Sequence, residues 1–366
     1  MTPRVRLGMV GGGEGAFIGA IHRIAARMDD RFELVAGALS SDPGRAARSA
    51  EAIGLPRSYA SYQEMAAAEA ARADGVEAVS IVTPNHLHAA PAIAFLERGI
   101  HVICDKPLAA TAAEAAAIRE AVRGSSARFF LTHTYSALPL VREARAILAE
   151  GGIGQLRLVQ VEYLQGWLAD DPHSKQAEWR LDPARAGAGA LADIGTHAWQ
   201  LAAFVIGRRP VEIAAELSSI VPGRAVDDDA RAALRYACGA RGGIWASQVA
   251  AGRENSLTLR VYGSEGGLEW AQEEPERLVW HRRGEATRLL TRAQDRSHSS
   301  RTPPGHPEGY LEAFANVYSD IADVIRGDAA KGARVPGLAD GLSGMAFIAA
   351  AMASSAAGGA WVAVDG

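Results

Sequence analysis

Aromatic residues and cysteines are scarce in this chain of 366 residues. Aromatic side chains make up 6% of it, and Cys104 and Cys238 are its two cysteines. Two cysteines cannot build a disulfide framework, so we expect a reducing compartment and a cytoplasmic location. The net charge of −4 gives no excess of positive charge, which argues against a generally basic nucleic-acid binder.

Long apolar runs are also missing, because no uncharged apolar stretch reaches the roughly 20 residues that a membrane span requires. The short apolar run at the N-terminus leads directly into a glycine cluster, unlike a signal peptide. Residues 345–360 are rich in alanine and are interrupted by serine and glycine, which predicts a buried or half-buried helix. We therefore expect no membrane partner.

The length predicts roughly two domains. In the first 130 residues, apolar runs alternate with amphipathic stretches, which predicts a doubly wound α/β domain with a parallel sheet. After Glu150, several predicted strands alternate apolar with polar residues, which predicts a mostly antiparallel sheet in an α+β domain. The predicted boundaries are residues 1–132 for the first domain and 133–366 for the second.

The predicted elements follow from these patterns and from capping boxes at Ser61 with Glu64 and at Thr111 with Glu114. In the first domain we predict strands at residues 5–10, 33–39, 78–82, 101–104 and 129–132, and helices at 19–28, 43–53, 89–98 and 112–123. In the second we predict strands at 156–164, 211–220, 230–237, 243–250, 257–262, 278–281 and 286–290, and helices at 193–204, 309–326 and 338–355.

A glycine-rich loop joins the first predicted strand to the first helix, and it runs from Gly11 to Gly19. Such a loop allows a tight turn and lets a pyrophosphate approach the helix N-terminus. In the usual spacing the third glycine would fall at Ala16, but Gly19 is the better match, so the loop is about three residues longer. The position of the loop favours dinucleotide binding over a merely structural turn.

Serines follow the second strand, where an NAD site usually places an acidic side chain for the ribose hydroxyls. Ser40 and Ser41 stand at this place, Asp42 comes next, and Arg45 follows. Arg45 is either a partner for a 2′-phosphate or a solvated helix residue. The choice between NAD and NADP therefore stays open.

Three further segments carry side chains suited to chemistry: residues 83–88, 104–108 and 187–197. The first two follow predicted parallel strands, and ligands bind at the carboxyl ends of such strands. In the third, Asp193 and His197 are four residues apart and share one face of a helix.

With these motifs together, the chain resembles the glucose–fructose oxidoreductase / inositol dehydrogenase (Gfo/Idh/MocA) family. The resemblance implies a Rossmann domain, a second domain with a large open sheet flanked by helices, and nicotinamide-dependent oxidation or reduction of sugars, cyclitols and related polyols. It matches Lys106 to the lysine of the family's Glu-Lys-Pro motif, and Asp193 and His197 to its aspartate and histidine. It also implies a cis peptide bond before Pro107.

The chain departs from the family pattern in three places. Asp105 replaces the usual glutamate, the glycine loop is longer, and Trp199-Gln200 stands where an acidic residue is often found. These departures suggest a subgroup with a substrate other than free inositol.

The chemistry of alcohol oxidation agrees with the matched residues. A base with a pKa near 7 suits loss of the hydroxyl proton, so His197 is the natural base, and Lys106 can stabilise developing charge on the same oxygen. Asp193 orients this pair, caps its helix, or does both. The alternatives are a structural helix histidine at His197 and a surface lysine at Lys106.

The remaining candidates have weaker signals. Asn85 contacts the nicotinamide ribose or a substrate hydroxyl, or is a turn residue. Tyr135, Trp179, Arg180 and His306 are substrate candidates, with packing, a surface ion pair or a helix cap as their alternatives. The predicted cofactor-binding set is Gly11, Gly13, Phe17, Ile18, Ser40, Ser41, Arg45, Thr83, Asn85, His88 and Lys106.

No metal is expected, because the His86-x-His88 pair has no third ligand at a suitable spacing. We interpret Asp227, Asp228 and Asp229 as a solvated turn and Cys104 as a core residue.

We therefore predict an NAD- or NADP-dependent dehydrogenase acting on a secondary hydroxyl of a sugar, glycoside or cyclitol. The alternatives are reduction of a dihydrodiol or ring double bond on the same fold, and a non-catalytic dinucleotide-binding regulator. The open sheet predicts a homodimer or homotetramer.

Overall fold

The computed structural model describes residues 3–170 and 175–365. The chain packs into two compact units. The first unit comprises the chain up to Thr134 together with Leu311–Leu342, and the second comprises Tyr135–Tyr310 together with the chain from Ser343 onwards.

Six parallel strands form the sheet of the first unit, in the order β3-β2-β1-β4-β5-β6. This is the strand order of the doubly wound dinucleotide-binding fold, in which the order reverses between β1 and β4. The strands are β1 Val5–Gly11, β2 Phe32–Ala38, β3 Arg57–Ser58, β4 Ala78–Val82, β5 His101–Cys104 and β6 Phe129–Leu131.

Helices connect these strands, as the alternating pattern predicts. Thr111 and Glu114 form the predicted capping box, whereas Glu64 accepts from the amide of Ala60 and only the Ser61 half of its box is present. The helices are α1 Phe17–Met28, α2 Pro43–Ala52, α3 Tyr62–Ala70, α4 Ala89–Leu96 and α5 Ala112–Arg123.

Nine strands form the sheet of the second unit, in the order β14-β13-β12-β11-β7-β10-β9-β8-β15. Every neighbouring pair is antiparallel except β7 with β10, and these two sheets confirm the predicted fold class. The strands are β7 Leu156–Leu164, β8 Glu212–Ser218, β9 Asp229–Arg235, β10 Arg241–Ser247, β11 Ser256–Gly263, β12 Gly266–Ala271, β13 Leu278–Arg282, β14 Arg288–Leu290 and β15 Val362–Ala363.

Strand β12 was missed because its two leading glycines look like a turn. A Cβ at Gly266 would lie 2.2 Å from the carbonyl oxygen of His281, and one at Gly267 would lie 2.4 Å from the ring of Tyr262. The glycines are therefore needed for close packing of neighbours within the sheet.

Six further helices complete the chain, and α9 packs on β7, β10 and β11 with α6 beside it. They are α6 Pro139–Ala149, α7 Lys175–Arg180, α8 Pro183–Ala186, α9 Thr196–Ile206, α10 Tyr310–Ile325 and α11 Leu338–Ala356. Among the described helices, α11 alone is long and apolar enough to span a membrane, a test that the core helix of a soluble protein also passes.

The segment Leu311–Leu342 packs in the first unit, whereas the predicted boundaries assign it to the second domain. The Arg326 guanidinium lies 2.6 Å from the Glu77 carboxylate, and the Tyr318 hydroxyl lies 2.8 Å from Nδ1 of buried His22. These partners are hundreds of residues apart along the chain, so no local pattern indicates the contact.

Candidate active site

The glycine loop after β1 depends on glycine at several positions. Gly11 and Gly12 have φ angles of +80° and +73°, which residues other than glycine rarely adopt. A Cβ at Gly19 would lie 2.4 Å from the Cα of Gly12, so α1 packs directly against the loop backbone. Gly19 thus has the helix-packing position of a third glycine, as the sequence spacing predicts.

Two side chains that the sequence analysis missed hold the longer loop. The Ser49 hydroxyl accepts from the Glu14 amide at 3.1 Å, and a Cβ at Gly13 would lie 2.8 Å from that hydroxyl oxygen. The Arg23 guanidinium donates to the carbonyl oxygen of Gly12 at 2.7 Å. The extra residues are therefore anchored from α1 and α2, so the loop keeps a defined shape.

The N-terminus of α1 is open to an anion. The N-cap, Ala16, has no side chain that could accept from the first helical amides, and the first turn contains no acidic residue. Both features suit a phosphate group, because the orphan amides and the helix dipole favour negative charge there. Phe17 is exposed, whereas Ile18 packs against a buried cluster of Met9, Leu39, Ala50 and Val82.

Polar side chains follow the end of β2, and the carboxylate among them, that of Asp42, is engaged as a helix cap. The Asp42 carboxylate accepts from the Arg45 amide at 2.6 Å and caps α2. The Ser40 hydroxyl accepts from the Asp42 amide at 3.1 Å, and Ser41 and Arg45 are exposed. The serines therefore follow the carboxyl end of β2 and precede the start of α2, as the sequence predicts.

Buried His88 joins the two segments that follow β4 and β5. Its Nδ1 lies 2.8 Å from the carbonyl oxygen of Pro107, and its Nε2 lies 2.9 Å from that of Thr83. The Lys106–Pro107 bond is cis, as the resemblance implies. Asn85 is buried in a short 3₁₀ turn after β4. The structure thus brings the Thr83 and Lys106 segments together through one imidazole.

Lys106 is half-buried rather than a surface lysine. The Asp105 carboxylate accepts from the Lys106 backbone amide and from the Thr132 hydroxyl, each at 2.9 Å. Burial, together with the positive charge of Lys106, lowers the pKa of His133 to about 3. The lysine therefore lies near the neutral, buried imidazole of His133 and beside one short carboxylate that holds its loop.

In the second unit, Asp193 lies in a π-helical turn, Leu191–Gly195, that leads into α9 and His197. Such turns occur frequently at functional sites. Its Oδ2 accepts from Arg180 Nε at 3.1 Å and from Gln248 Nε2 at 2.8 Å. Arg180 is thus brought to Asp193, and Asp193 does not cap the helix that it was predicted to begin.

The cap of this turn comes from Asp227, so the solvated turn predicted for residues 227–229 is wrong. The Asp227 carboxylate accepts from the amides of Gly189 and Leu191, each at 2.7 Å, and burial raises its pKa. A Cβ at Gly189 would lie 1.7 Å from the Asp227 carbonyl oxygen. Asp228 and Asp229 are also buried, because their carboxylates bind nearby amides and side chains.

His197 lies against two buried tyrosines. Its ring centroid is 5.0 Å from that of Tyr135 and 6.0 Å from that of Tyr163, both in edge-on arrangements. The two phenol oxygens are 2.6 Å apart, and both contact the Asn255 amide group. The second unit therefore packs two aromatic rings against His197, and the Asn255 amide holds their hydroxyl groups.

The other substrate candidates have different positions. Trp179 lies under the Arg180 guanidinium, 4.3 Å from it. His306 is exposed in a loop, and its backbone carbonyl oxygen accepts a hydrogen bond from Arg292. Trp199 and Gln200 are buried, and the Trp199 indole donates to Ser343 at 2.9 Å.

Cys104 is buried, and burial raises the pKa of its thiol, which fits the predicted core role. Cys238 is exposed and is not in a disulfide. Within residues 3–170 and 175–365, no three His, Cys, Asp or Glu side chains are grouped so that they could hold a metal ion.

Five residues of the site carry no sequence signal that predicts them: Arg23, Ser49, Tyr163, Gln248 and Asn255. Except for Arg23, which binds Gly12 11 residues away, each contacts a partner far away in sequence, and none lies in a recognisable motif.

Comparisons with known proteins cover almost the whole chain. The family model for the GFO/IDH/MocA oxidoreductases with an NAD-binding Rossmann fold matches residues 5–133, and the model for the GFO/IDH/MocA C-terminal domain matches residues 141–269.

Among solved structures, an oxidoreductase from Sinorhizobium meliloti is 49% identical with a TM-score of 0.91, covering 99% of this chain and 100% of its own. An inositol dehydrogenase homolog complexed with NAD+, from Azotobacter vinelandii, is 36% identical with a TM-score of 0.94, covering 99% of this chain and 98% of its own. A levoglucosan dehydrogenase of Pseudarthrobacter phenanthrenivorans is 31% identical, with 98% of this chain and 97% of that protein covered. The chain thus belongs to the GFO/IDH/MocA family of oxidoreductases, as an NAD(P)-dependent dehydrogenase with an NAD-binding Rossmann domain.

Proposed function

We propose that this dehydrogenase oxidises a secondary hydroxyl of a sugar, glycoside or cyclitol, or reduces the corresponding ketone. The observation that carries the proposal is the π-helical turn that presents Asp193 and His197 one helical turn apart, with Arg180 and Gln248 on the carboxylate. The levoglucosan and inositol dehydrogenase relatives support this substrate class.

The residues of the first unit fit a dinucleotide. Gly12 and Gly19 leave no room for a Cβ, and the uncapped start of α1 offers amides to a phosphate. NAD, when bound, supplies the hydride acceptor or donor. The residues we propose to hold it are Gly11, Gly13, Phe17, Ile18, Ser40, Ser41, Arg45, Thr83, Asn85, His88 and Lys106.

This chain's own residues handle the proton. His197 accepts the proton of the reacting hydroxyl, which general-base catalysis requires when a hydride leaves the same carbon. Lys106 donates a hydrogen bond to that oxygen and stabilises its developing negative charge. Asp193, held by two donors on one oxygen, keeps a negative charge near His197 that favours the imidazolium formed in the reaction.

The test is a panel of sugars, glycosides and inositols assayed with NAD+ and NADP+ by nicotinamide absorbance. Lys106→Ala and His197→Ala are each expected to lower kcat by at least about 100-fold, while NADH still binds by fluorescence titration. Lys331→Ala and His281→Ala are matched controls, since these side chains are partly exposed and lie outside the proposed machinery. Turnover like that of the wild type in either active-site variant would contradict the roles proposed for Lys106 and His197.

The same panel, extended with a trans-dihydrodiol, separates the alternative reaction. Oxidation of the dihydrodiol without activity on any polyol would favour that chemistry. The oxidoreductase family models argue against a non-catalytic regulator.

We also propose that two copies associate through the open face of the nine-stranded sheet. Small side chains at Ala214, Ala233 and Gly243 line a depression of about 920 Å³ there, beside Trp245, and Leu158 on the same face is 53% exposed. Such a face lets a second flat sheet approach closely. Light scattering is expected to show a dimer or tetramer, and Ala233→Glu is expected to dissociate it. A monomeric wild type would contradict this.

We place the enzyme in the cytoplasm, which cell fractionation tests.

A further inference from the structure

A ring of three hydrogen bonds lies beside His197 in the second unit. The Tyr135 and Tyr163 hydroxyl oxygens are 2.6 Å apart, Tyr163 donates to Asn255 Oδ1 at 2.7 Å, and Asn255 Nδ2 donates to the Tyr135 oxygen at 3.2 Å. We call these three side chains the phenol–amide ring. Both tyrosines are buried, so no bulk water competes for these bonds.

The direction of every bond in the ring is determined by Trp167. The Trp167 indole N–H is only a donor, and it donates to Gln165 Oε1 at 2.9 Å. Gln165 must then present its Nε2 to Asn255 Oδ1, 2.7 Å away. Asn255 consequently presents its Nδ2 to Tyr135, and Tyr163, which gives its one proton to Asn255, accepts from Tyr135.

The ring therefore uses both hydroxyl protons internally. The Tyr135 proton goes to Tyr163, and the Tyr163 proton goes to Asn255. Burial raises the pKa of both phenols, so they remain protonated at neutral pH. Neither hydroxyl has a second proton to donate to a substrate, so both tyrosines fit a positioning role.

The same two tyrosines contact the imidazole of His197 from different directions. The interplanar angles are 69° for Tyr135 and 64° for Tyr163, and the rings of the two tyrosines are themselves nearly perpendicular at 84°. An imidazole that packs against two rings, themselves locked by hydrogen bonds, has little freedom to rotate. The backbone adds to this, because Tyr163 on β7 is paired with Leu257 on β11, two residues beyond Asn255.

We propose that the phenol–amide ring of Tyr135, Tyr163 and Asn255 positions the His197 imidazole for proton transfer, with Gln165 and Trp167 setting its hydrogen-bond direction. These are positioning residues, and the inference rests on the proposed role of His197 as the base. Each member makes two of the three hydrogen bonds of the ring. Removing one member is therefore expected to disturb His197 nearly as much as removing two.

The test compares Tyr135→Phe, Tyr163→Phe and the double variant, each of which keeps the aromatic ring beside His197. Each single variant is expected to lower kcat per NADH-binding site by about 10-fold, as small misplacements of a catalytic group do. The double variant is expected to lose no more than either single one, and the pH profile of kcat is expected to move in all three. Tyr262→Phe is the matched control, because it removes a hydroxyl bound to Glu269 on the opposite face of the same sheet.

Histidine NMR on the NADH-bound protein gives a second readout that needs no substrate. The ¹⁵N signals of His197 are expected to change their titration midpoint in the ring variants and not in Tyr262→Phe. If no substrate turns over, the proposed function fails while the NMR titration still decides the positioning role.

The inference is overturned if both single variants keep kcat within twofold of the wild type with an unmoved His197 titration. It is also overturned if the two losses multiply in the double variant. Should a phenylalanine variant fail to fold, Asn255→Leu removes the amide and opens the ring without adding a charge near His197. It is then expected to give the same loss and the same shift, and unchanged values would reject the inference.

Discussion

One methyl group at Gly19 is a stringent test of the nucleotide loop. The Cβ of Gly19→Ala would lie 2.4 Å from the Gly12 Cα and 2.8 Å from the Gly12 carbonyl oxygen. Carbon atoms in contact normally stay about 3.5–4.0 Å apart, so α1 and the loop must separate by roughly 1 Å. Overpacking of this kind costs about 1–3 kcal/mol. The same displacement moves the amides at the start of α1 away from the phosphate position.

We therefore expect Gly19→Ala to lower the free energy of unfolding by that amount and to raise the Kd for NADH about 10-fold, which corresponds to roughly 1.4 kcal/mol. Chemical denaturation measures the first quantity, and fluorescence titration of NADH measures the second. Gly124→Ala is the matched control, because Gly124 has a φ angle of −85° and the nearest atom to its Cβ would be 3.7 Å away. Wild-type stability and NADH affinity in Gly19→Ala would refute the close packing of α1 on the loop.

Two further perturbations test buried polar groups in the two units. Burial lowers the pKa of His22 to about 4, whereas a histidine in the unfolded chain has a pKa of roughly 6.5. As the pH falls between these values, the unfolded state binds a proton that the folded state does not bind. The free energy of unfolding is therefore expected to be about 3 kcal/mol lower at pH 4 than at pH 7. Denaturation at pH 7 and pH 4 is expected to show a smaller drop for His22→Gln, and an unchanged drop would contradict the assignment. Asp227→Ala removes the acceptor for the Gly189 and Leu191 amides. Asp227→Ala is expected to lower the free energy of unfolding by about 1–2 kcal/mol in the same assay and to lower kcat, and Asp227→Asn is expected to give intermediate values. An unchanged kcat would show that the Asp227 cap does not support the active site.

Local pattern was sufficient for many elements of the fold. Strands 78–82 and 101–104 of the first sheet and strand 156–164 of the second are observed with the predicted bounds. In the first two, every residue except His101 is apolar or small because helices cover both faces, so the run itself marks the strand. In strand 156–164 the alternation of exposed and buried residues marks one covered face.

Contacts between distant segments were beyond the same reasoning. The fit of Leu311–Leu342 to the first unit depends on Tyr318 reaching His22 and Ser80, which no spacing encodes. The candidate site shows the same division, since Lys106, Asp193 and His197 lie in motifs. In contrast, Tyr163 and Asn255 meet only because β7 pairs with β11, which begins directly after Asn255. Asp227 was misread for this reason, since its partners lie 36 and 38 residues away.

The change from glutamate to aspartate before Lys106 has a local explanation in the structure. The Asp105 carboxylate folds back to accept from the Lys106 amide, and it also binds the Thr132 hydroxyl at the end of β6. Asp105 therefore ties the backbone of Lys106 to the neighbouring strand. His88 holds the same loop from the other side through the Pro107 carbonyl oxygen. The loop that carries the lysine is therefore anchored from two sides, by the Asp105 carboxylate and by the His88 imidazole.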